Sequence, residues 1–204
     1  ELLTRQAVVP DLETVPAHMP LSYVRADDPR SIINAMAEYQ AMLDAIRNGK
    51  TNPQRAACPD DPVERAEHLK SFGYFCDAAI VGACLLPQSA VLPVAYRNPA
   101  LDRLVDTLQT RQTKTLAAGI DVIMADLRDS VRAPERSISP HSHALVLLYE
   151  NPRDPDEGED GVAWIADAQA HRAGLLAAET AVVLAEYIRL LGYDARAHTV
   201  SSGA

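Results

Sequence analysis

Apolar positions recur along most of the chain at the helical interval, and two short continuous apolar runs interrupt them. The longest periodic stretch is His171 to His198. Leu176, Val183 and Leu190 recur at seven-residue spacing there, with Glu179, Leu184, Tyr187, Ile188 and Leu191 on the same broad side. This predicts a long central helix over 168–191 whose apolar stripe is buried. Ala173, Ala177, Ala178, Ala181 and Ala185 add helix propensity and narrow flanks, and Arg189 suits the negative C-terminal end. Gly192 sits where a left-handed cap belongs. Beyond it, Ala195, Ala197 and Thr199 alternate with Arg196, His198 and Val200, the period of a weak strand.

Earlier in the chain, Asp27-Asp28-Pro29 has the form of a helix start, an acidic cap followed by proline. Ile32, Ile33, Met36, Tyr39, Gln40, Leu43 and Ile46 then mark the buried side of a helix ended by Asn48-Gly49. A shorter helix is predicted from Pro62 to Phe72-Gly73, and a third from Leu101, burying Leu101, Leu104, Val105, Leu108 and Leu116. The two continuous runs read as strands, Cys76–Leu86 as one covered on both faces and His143–Tyr149 as a second buried strand. Gly82 inside the first predicts a bulge or a close backbone approach. Ile120 to Met124 fits strand or helix equally. The polar run Asn151–Gly161 is a solvated loop, without the twelve-residue pattern of a calcium loop. Trp164 precedes the long helix on a helical piece of its own.

The fold class implied is α/β (α+β), a sheet covered by helices. Residues 1–28, with Pro10, Pro16 and Pro20, form an extended N-terminal arm, and 29–204 make a single domain. At 204 residues and 48% hydrophobic, the chain can bury one core of ordinary size. A net charge of −9 with no basic block argues against nucleic acid. No apolar run approaches the roughly 20 residues that cross a membrane as a helix. Cys58, Cys76 and Cys84 lack metal-type spacing, and an odd count favours reduced thiols in the cytoplasm. The chain begins at Glu1 and ends in Ser201-Ser202-Gly203-Ala204, so it is expected to be a fragment of a longer multidomain protein.

Leu69-Lys70-Ser71-Phe72-Gly73-Tyr74 is echoed by Ile188-Arg189-Leu190-Leu191-Gly192-Tyr193. Both read as helix ends capped by glycine, with tyrosine packing back before the chain turns into the sheet. The segments EHLKSFGYFCDAAIVGACLLPQSAV, HALVLLYE and ETAVVLAEYIRLLGYDARAH, in this order, resemble the corrinoid-dependent reductive dehalogenases. The soluble catabolic type is the nearer likeness, with epoxyqueuosine reductase more distant. The resemblance spans about Asp28 to His198 and implies a nitroreductase-like fold. It also implies cobalamin, a halogenated aromatic substrate, and electrons delivered through two iron–sulfur (4Fe–4S) clusters. The three cysteines here cannot form the C-x-x-C-x-x-C-x-x-x-C-P run that such clusters require. The resemblance therefore implies an N-terminal lobe, mainly structural, whose partner is the remainder of the same polypeptide. On its own this lobe is expected to be inactive and to bind little or no cofactor.

Arg196, His198, Ser201 and Ser202, at the exit of the long helix, are the candidates for a cofactor edge, since binding residues often occupy such loops. His141-Ser142-His143 is the only H-x-H; two imidazoles do not make a metal site, and no G-x-S-x-G accompanies Ser142. Cys84 is expected to be a buried, inert thiol. No catalytic residue and no metal ligand is assigned. Two further readings stand beside the dehalogenase lobe: a non-catalytic scaffold or docking domain, and a flavin-binding nitroreductase relative.

Overall fold

A computed structural model describes residues 27–87, 90–91, 98, 100–110, 128–129, 131–132, 138, 140–153, 156, 158–165 and 168–199. The elements run α1 (Ile32–Ile46), α2 (Pro62–Phe75), β1 (Ile80–Leu85), α3 (Ala100–Thr110), β2 (His143–Leu148), α4 (Val162–Ile165) and α5 (Gln169–Leu190). The arrangement is α+β, with the two strands paired antiparallel. All but the last two residues of the expected arm, the 120–124 run, Leu116, and Val200 to Ala204 lie outside the described residues.

Side-chain caps explain the starts of α1, α2 and α3, whereas α5 begins after Ala168 with no side-chain cap. The Ser31 side chain accepts from Ile33 N at 3.3 Å, so α1 begins at Ile32 and not at Pro29. Asp28 is instead engaged by the guanidinium of Arg30 and then by its backbone N–H, which lower the carboxyl pKa to about 2. Asp61 caps α2 through Val63 N at 2.9 Å, with Pro62 in the first turn. Asn98 Oδ1 accepts from Ala100 N at 2.9 Å and starts α3, which buries Leu101 and Val105 as predicted.

The Phe72-Gly73 stop is corrected: α2 continues to Phe75, and the chain turns at Asp77, whose φ is 64°. Gly73 lies within the helix, against the sheet. A Cβ there would stand 2.8 Å from Val81 Cγ2 and 2.9 Å from Leu147 Cδ2. The close approach expected at Gly82 thus belongs to Gly73. Gly82 pairs with Val146 in an unbroken register from Ile80↔Leu148 to Leu85↔His143, and a Cβ would meet nothing within 4 Å. The strands are also not covered on both faces. Val81 is buried under α2, whereas Ile80, Cys84, Val146 and Leu148 are exposed.

The buried sides of α1 and α5 are likewise rotated from the predicted stripes. Ile33, Ala37, Gln40, Ala41, Asp44 and Ala45 face inward on α1, leaving Ile32, Tyr39 and Ile46 exposed. On α5 the inward set includes Ala173, Ala178, Val182, Ala185 and Arg189; of the predicted stripe Leu184 is buried, while Val183 and Leu190 are exposed. Small side chains let two helix backbones approach closely, so the alanine flank wins the contact over the larger stripe beside it. One core cluster joins Ala45, Leu101, Val105 and Val131; another joins Val182, Ala185 and Ala197 with Leu43, Ala181 and Ala195. A ladder of side chains ties α2 to α5: Phe72 stacks on Tyr187 at 5.7 Å, and His68 Nε2 meets Tyr187 Oη at 2.9 Å.

Candidate functional site

The end of α5 is built as its sequence predicts. Gly192 has φ 86°, Gly192 N donates to Arg189 O at 2.9 Å, and Tyr193 N donates to Ile188 O at 3.2 Å. These paired bonds are those of a Schellman cap. Less foreseeable is the loop that closes over it. Asn52 N donates to Arg189 O, Asn52 Nδ2 to Leu190 O and Ala56 N to Leu191 O, at 2.9, 3.1 and 2.9 Å. The carbonyls that a helix end leaves without partners are thereby satisfied. Arg55 lies 5.4 Å over the Tyr193 ring and completes the clasp.

Inside this turn sits a buried polar junction. Arg189, 1% exposed, donates from Nε and Nη2 to Glu186 Oε2 at 3.0 and 2.6 Å. Its Nη1 donates to Arg47 O at 3.2 Å and Ala195 O at 3.0 Å. One guanidinium thus joins α5, the end of α1 and the segment after α5. Gly49 is the accommodation for it, since a Cβ would stand 2.6 Å from Arg189 Nε. Next to it Asp44, 3% exposed, accepts from Gln40 Nε2 at 3.0 Å, Asn98 Nδ2 at 2.8 Å and Thr199 Oγ1 at 2.7 Å. With three donors converging on one carboxyl group, this residue fastens α1, the start of α3 and residues 195–199 together.

The 195–199 segment pairs with no strand among the described residues; Ala197 N reaches Arg47 O at 3.5 Å. The predicted strand is corrected on that ground: Thr199 binds Asp44 of α1, and no neighbouring strand lies beside the segment among the described residues. Of the cofactor-edge candidates, Arg196 and His198 fall here, and Ser201 and Ser202 lie outside the described residues. Protein atoms crowding the His198 imidazole, then the charges of Arg196, Arg47 and His141, push its pKa down to about 4, although the residue keeps an exposed edge. His198 is therefore neutral near pH 7 and offers both a ring donor and a ring acceptor. His141 stands close by, its Nε2 3.2 Å from Asp194 Oδ2.

The other candidates are not assembled into a reactive group. Ser142 Oγ lies 2.9 Å from His143 Nδ1, but the nearby carboxylate, Asp194, is on His141, so no Ser–His–Asp relay forms. Cys84 is exposed, a correction to the buried thiol expected, because its sheet face is uncovered. Arg153 folds the acidic loop on itself through Asp156 at 2.7 Å and Glu159 at 3.3 Å. Among the described residues no three His, Cys, Asp or Glu gather for a metal, and no helix is long and apolar enough to cross a membrane. The buried polar set of Asp44, Arg47 and Arg189 was missed in the sequence. The available signal was Gln40, Asp44 and Arg47 at i, i+4 and i+7 on one helix face.

A corrinoid would need a broad cradle. At each crowded glycine, however, the space a side chain would fill is taken by the chain itself: Arg189 at Gly49, Gln54 and Arg55 at Gly192, Val81 and Leu147 at Gly73. The junction's polar groups likewise bind one another. Among the described residues, these crowded positions therefore offer no such cradle.

No family model matches the chain, and no curated protein does. Solved structures do match. The catabolic reductive dehalogenase NpRdhA is 27% identical, with a TM-score of 0.57, over 89% of this chain and 20% of its own. A reductive dehalogenase structure concerned with B12-dependent dehalogenation is 28% identical, with a TM-score of 0.57, over 90% of this chain and 20% of its own. NpRdhA in complex with 3-bromo-4-hydroxybenzoic acid gives 28% and 0.59, over 90% of this chain and 21% of its own. The chain thus spans about a fifth of the length of these proteins, and its likeness to catabolic reductive dehalogenases holds in three dimensions.

Proposed function

We propose that the chain is the N-terminal, mainly structural lobe of a cobalamin-dependent reductive dehalogenase of the catabolic type. The carrying observation is that nearly all of it superposes on a fifth of such enzymes while its own polar groups are spent on internal fastening. Cobalamin and the iron–sulfur clusters then belong to the remainder of the polypeptide, which is this lobe's partner. The lobe keeps a nitroreductase-like core, with Arg196, His198, Ser201 and Ser202 at the edge that faces the cofactor-bearing part. The substrate is a halogenated aromatic, a reading supported by the bromo-hydroxybenzoate complex of a relative. The reaction replaces the halogen by hydrogen, consuming two electrons and one proton and releasing halide. Free thiols at Cys58, Cys76 and Cys84 favour a cytoplasmic setting.

A scaffold or docking domain is the second reading, favoured by the exposed Ile80, Val146 and Leu148. The test is turnover of 3-bromo-4-hydroxybenzoate by the complete gene product, loaded with cobalamin and iron–sulfur clusters and supplied with a reductant. Stoichiometric bromide and 4-hydroxybenzoate are expected. A loaded product that releases no bromide from a panel of aryl halides would overturn the dehalogenase reading. Turnover by the 204 residues alone would overturn the structural role.

A further inference from the structure

The two strands have one face covered at its Val81–Leu147 end, while Leu85 at the far end of that face is exposed, and one face bare along its length. In an antiparallel pair, directly opposed residues share a face and alternate along each strand. Val81 and Leu147, opposed in the register, lie against Gly73 of α2. The other face therefore carries Ile80, Gly82 and Cys84 from β1 and Ala144, Val146 and Leu148 from β2. Ile80 is 58%, Val146 47% and Leu148 51% exposed, and Cys84 is exposed. An antiparallel sheet that faces water on one side ordinarily alternates apolar and polar residues; here the water-facing side is apolar and has no charge. A two-stranded ribbon is also marginal in water unless further strands or a packed layer support it. Among the described residues each strand has only the other as a ladder partner.

We infer that this bare face is where the rest of the polypeptide docks, laying an apolar layer over Ile80, Cys84, Val146 and Leu148. This rests on the lobe reading above, and the occupant is chosen by chain length: the solved relatives carry about four-fifths of their length outside the matched region. A surface without charge calls for an apolar partner, and one joined covalently needs no charged residues for encounter.

Cys84 sits on the face and reports on it. In the complete gene product, alkylation by a neutral thiol reagent is followed by peptide mass mapping, with the same protein in urea giving the rate for an open thiol. Docking predicts Cys84 protected at least ten-fold in the native protein, with protection unchanged on dilution. It also predicts that Val146→Glu restores labelling while circular dichroism is kept. Labelling of native Cys84 at the urea rate would overturn the inference. So would protection lost on dilution, the mark of a second copy on the face, or a gene that encodes no longer product. Should Val146→Glu not fold, the native-to-urea ratio still decides. The absorption spectrum of the same sample scores the dehalogenase reading separately: absent corrinoid bands would sink that reading, whereas protection at Cys84 would still support the docking face.

Discussion

Replacing Gly192 by alanine attacks the point where α5, its cap and the 52–56 loop meet. The backbone φ of 86° is open to glycine and costs another L-residue about 1 kcal/mol. The new Cβ would stand 2.5 Å from Gln54 O and 2.7 Å from Arg55 Cα. Both are backbone atoms, so no side-chain rotation relieves the clash, and the loop must withdraw. Its withdrawal strains the three bonds from Asn52 and Ala56 to the carbonyls of Arg189, Leu190 and Leu191. Partly exposed bonds of this kind contribute about 0.5–1.5 kcal/mol each, so losing one or two of them brings the total to about 1.5–4 kcal/mol. Urea unfolding followed by circular dichroism measures it, and an unchanged denaturant slope would certify a stability effect. Amide exchange should accelerate at Asn52 and Ala56. Gly82→Ala, with open space around its Cβ, is the control and should be neutral or slightly stabilising. A Gly192→Ala loss below about 0.5 kcal/mol would refute the reasoning, since strain alone exceeds that.

Three further outcomes follow from the same geometry. Asp44→Ala leaves Gln40 and Asn98 as buried donors without their acceptor and should cost about 3–5 kcal/mol in the same urea experiment, whereas a surface carboxylate change would be near neutral. Gly73→Ala gains helix propensity but overpacks Val81 and Leu147, for a net loss of about 1–2 kcal/mol. Adding Val81→Ala should recover part of this, and strictly additive losses would contradict the contact. The depressed His198 pKa, about 4, means the unfolded chain binds a proton there between about pH 6.5 and 4 while the folded chain does not. Stability should therefore be full above about 6.5 and decline as pH falls through that window, by less than a fully enclosed imidazole would give. His198→Gln should flatten the decline, and an NMR titration with His198 near its ordinary value would refute the assignment.

Element order was legible because it rests on local signals: Asp61-Pro62 starts α2, Gly192 ends α5, and the runs around Ile80 and Leu145 form strands. Which side each helix buries was not. Leu176, Val183 and Leu190 are as periodic as the alanine flank beside them, and period alone does not say which neighbour arrives. The choice is made by close helix contact in three dimensions, where Ala178 and Ala185 fit and Val183 does not. Glycine roles failed for the same reason: Gly73 and Gly82 are alike in sequence, and only the placement of Val81 and Leu147 separates them. At the candidate site, Arg196 and His198 are expected only from their position after a helix. Asp44 and Arg189, which organise their surroundings, bind residues up to 155 positions away and so leave little local trace.

The central claim is that these residues are one lobe of a cobalamin enzyme. Cobalt content per polypeptide, measured on the complete gene product and on the 204-residue chain after exposure to cobalamin, tests it most directly. The account predicts close to one cobalt in the complete product and essentially none in the shorter chain. A complete product without cobalt, or a shorter chain that binds cobalamin one to one, would contradict it.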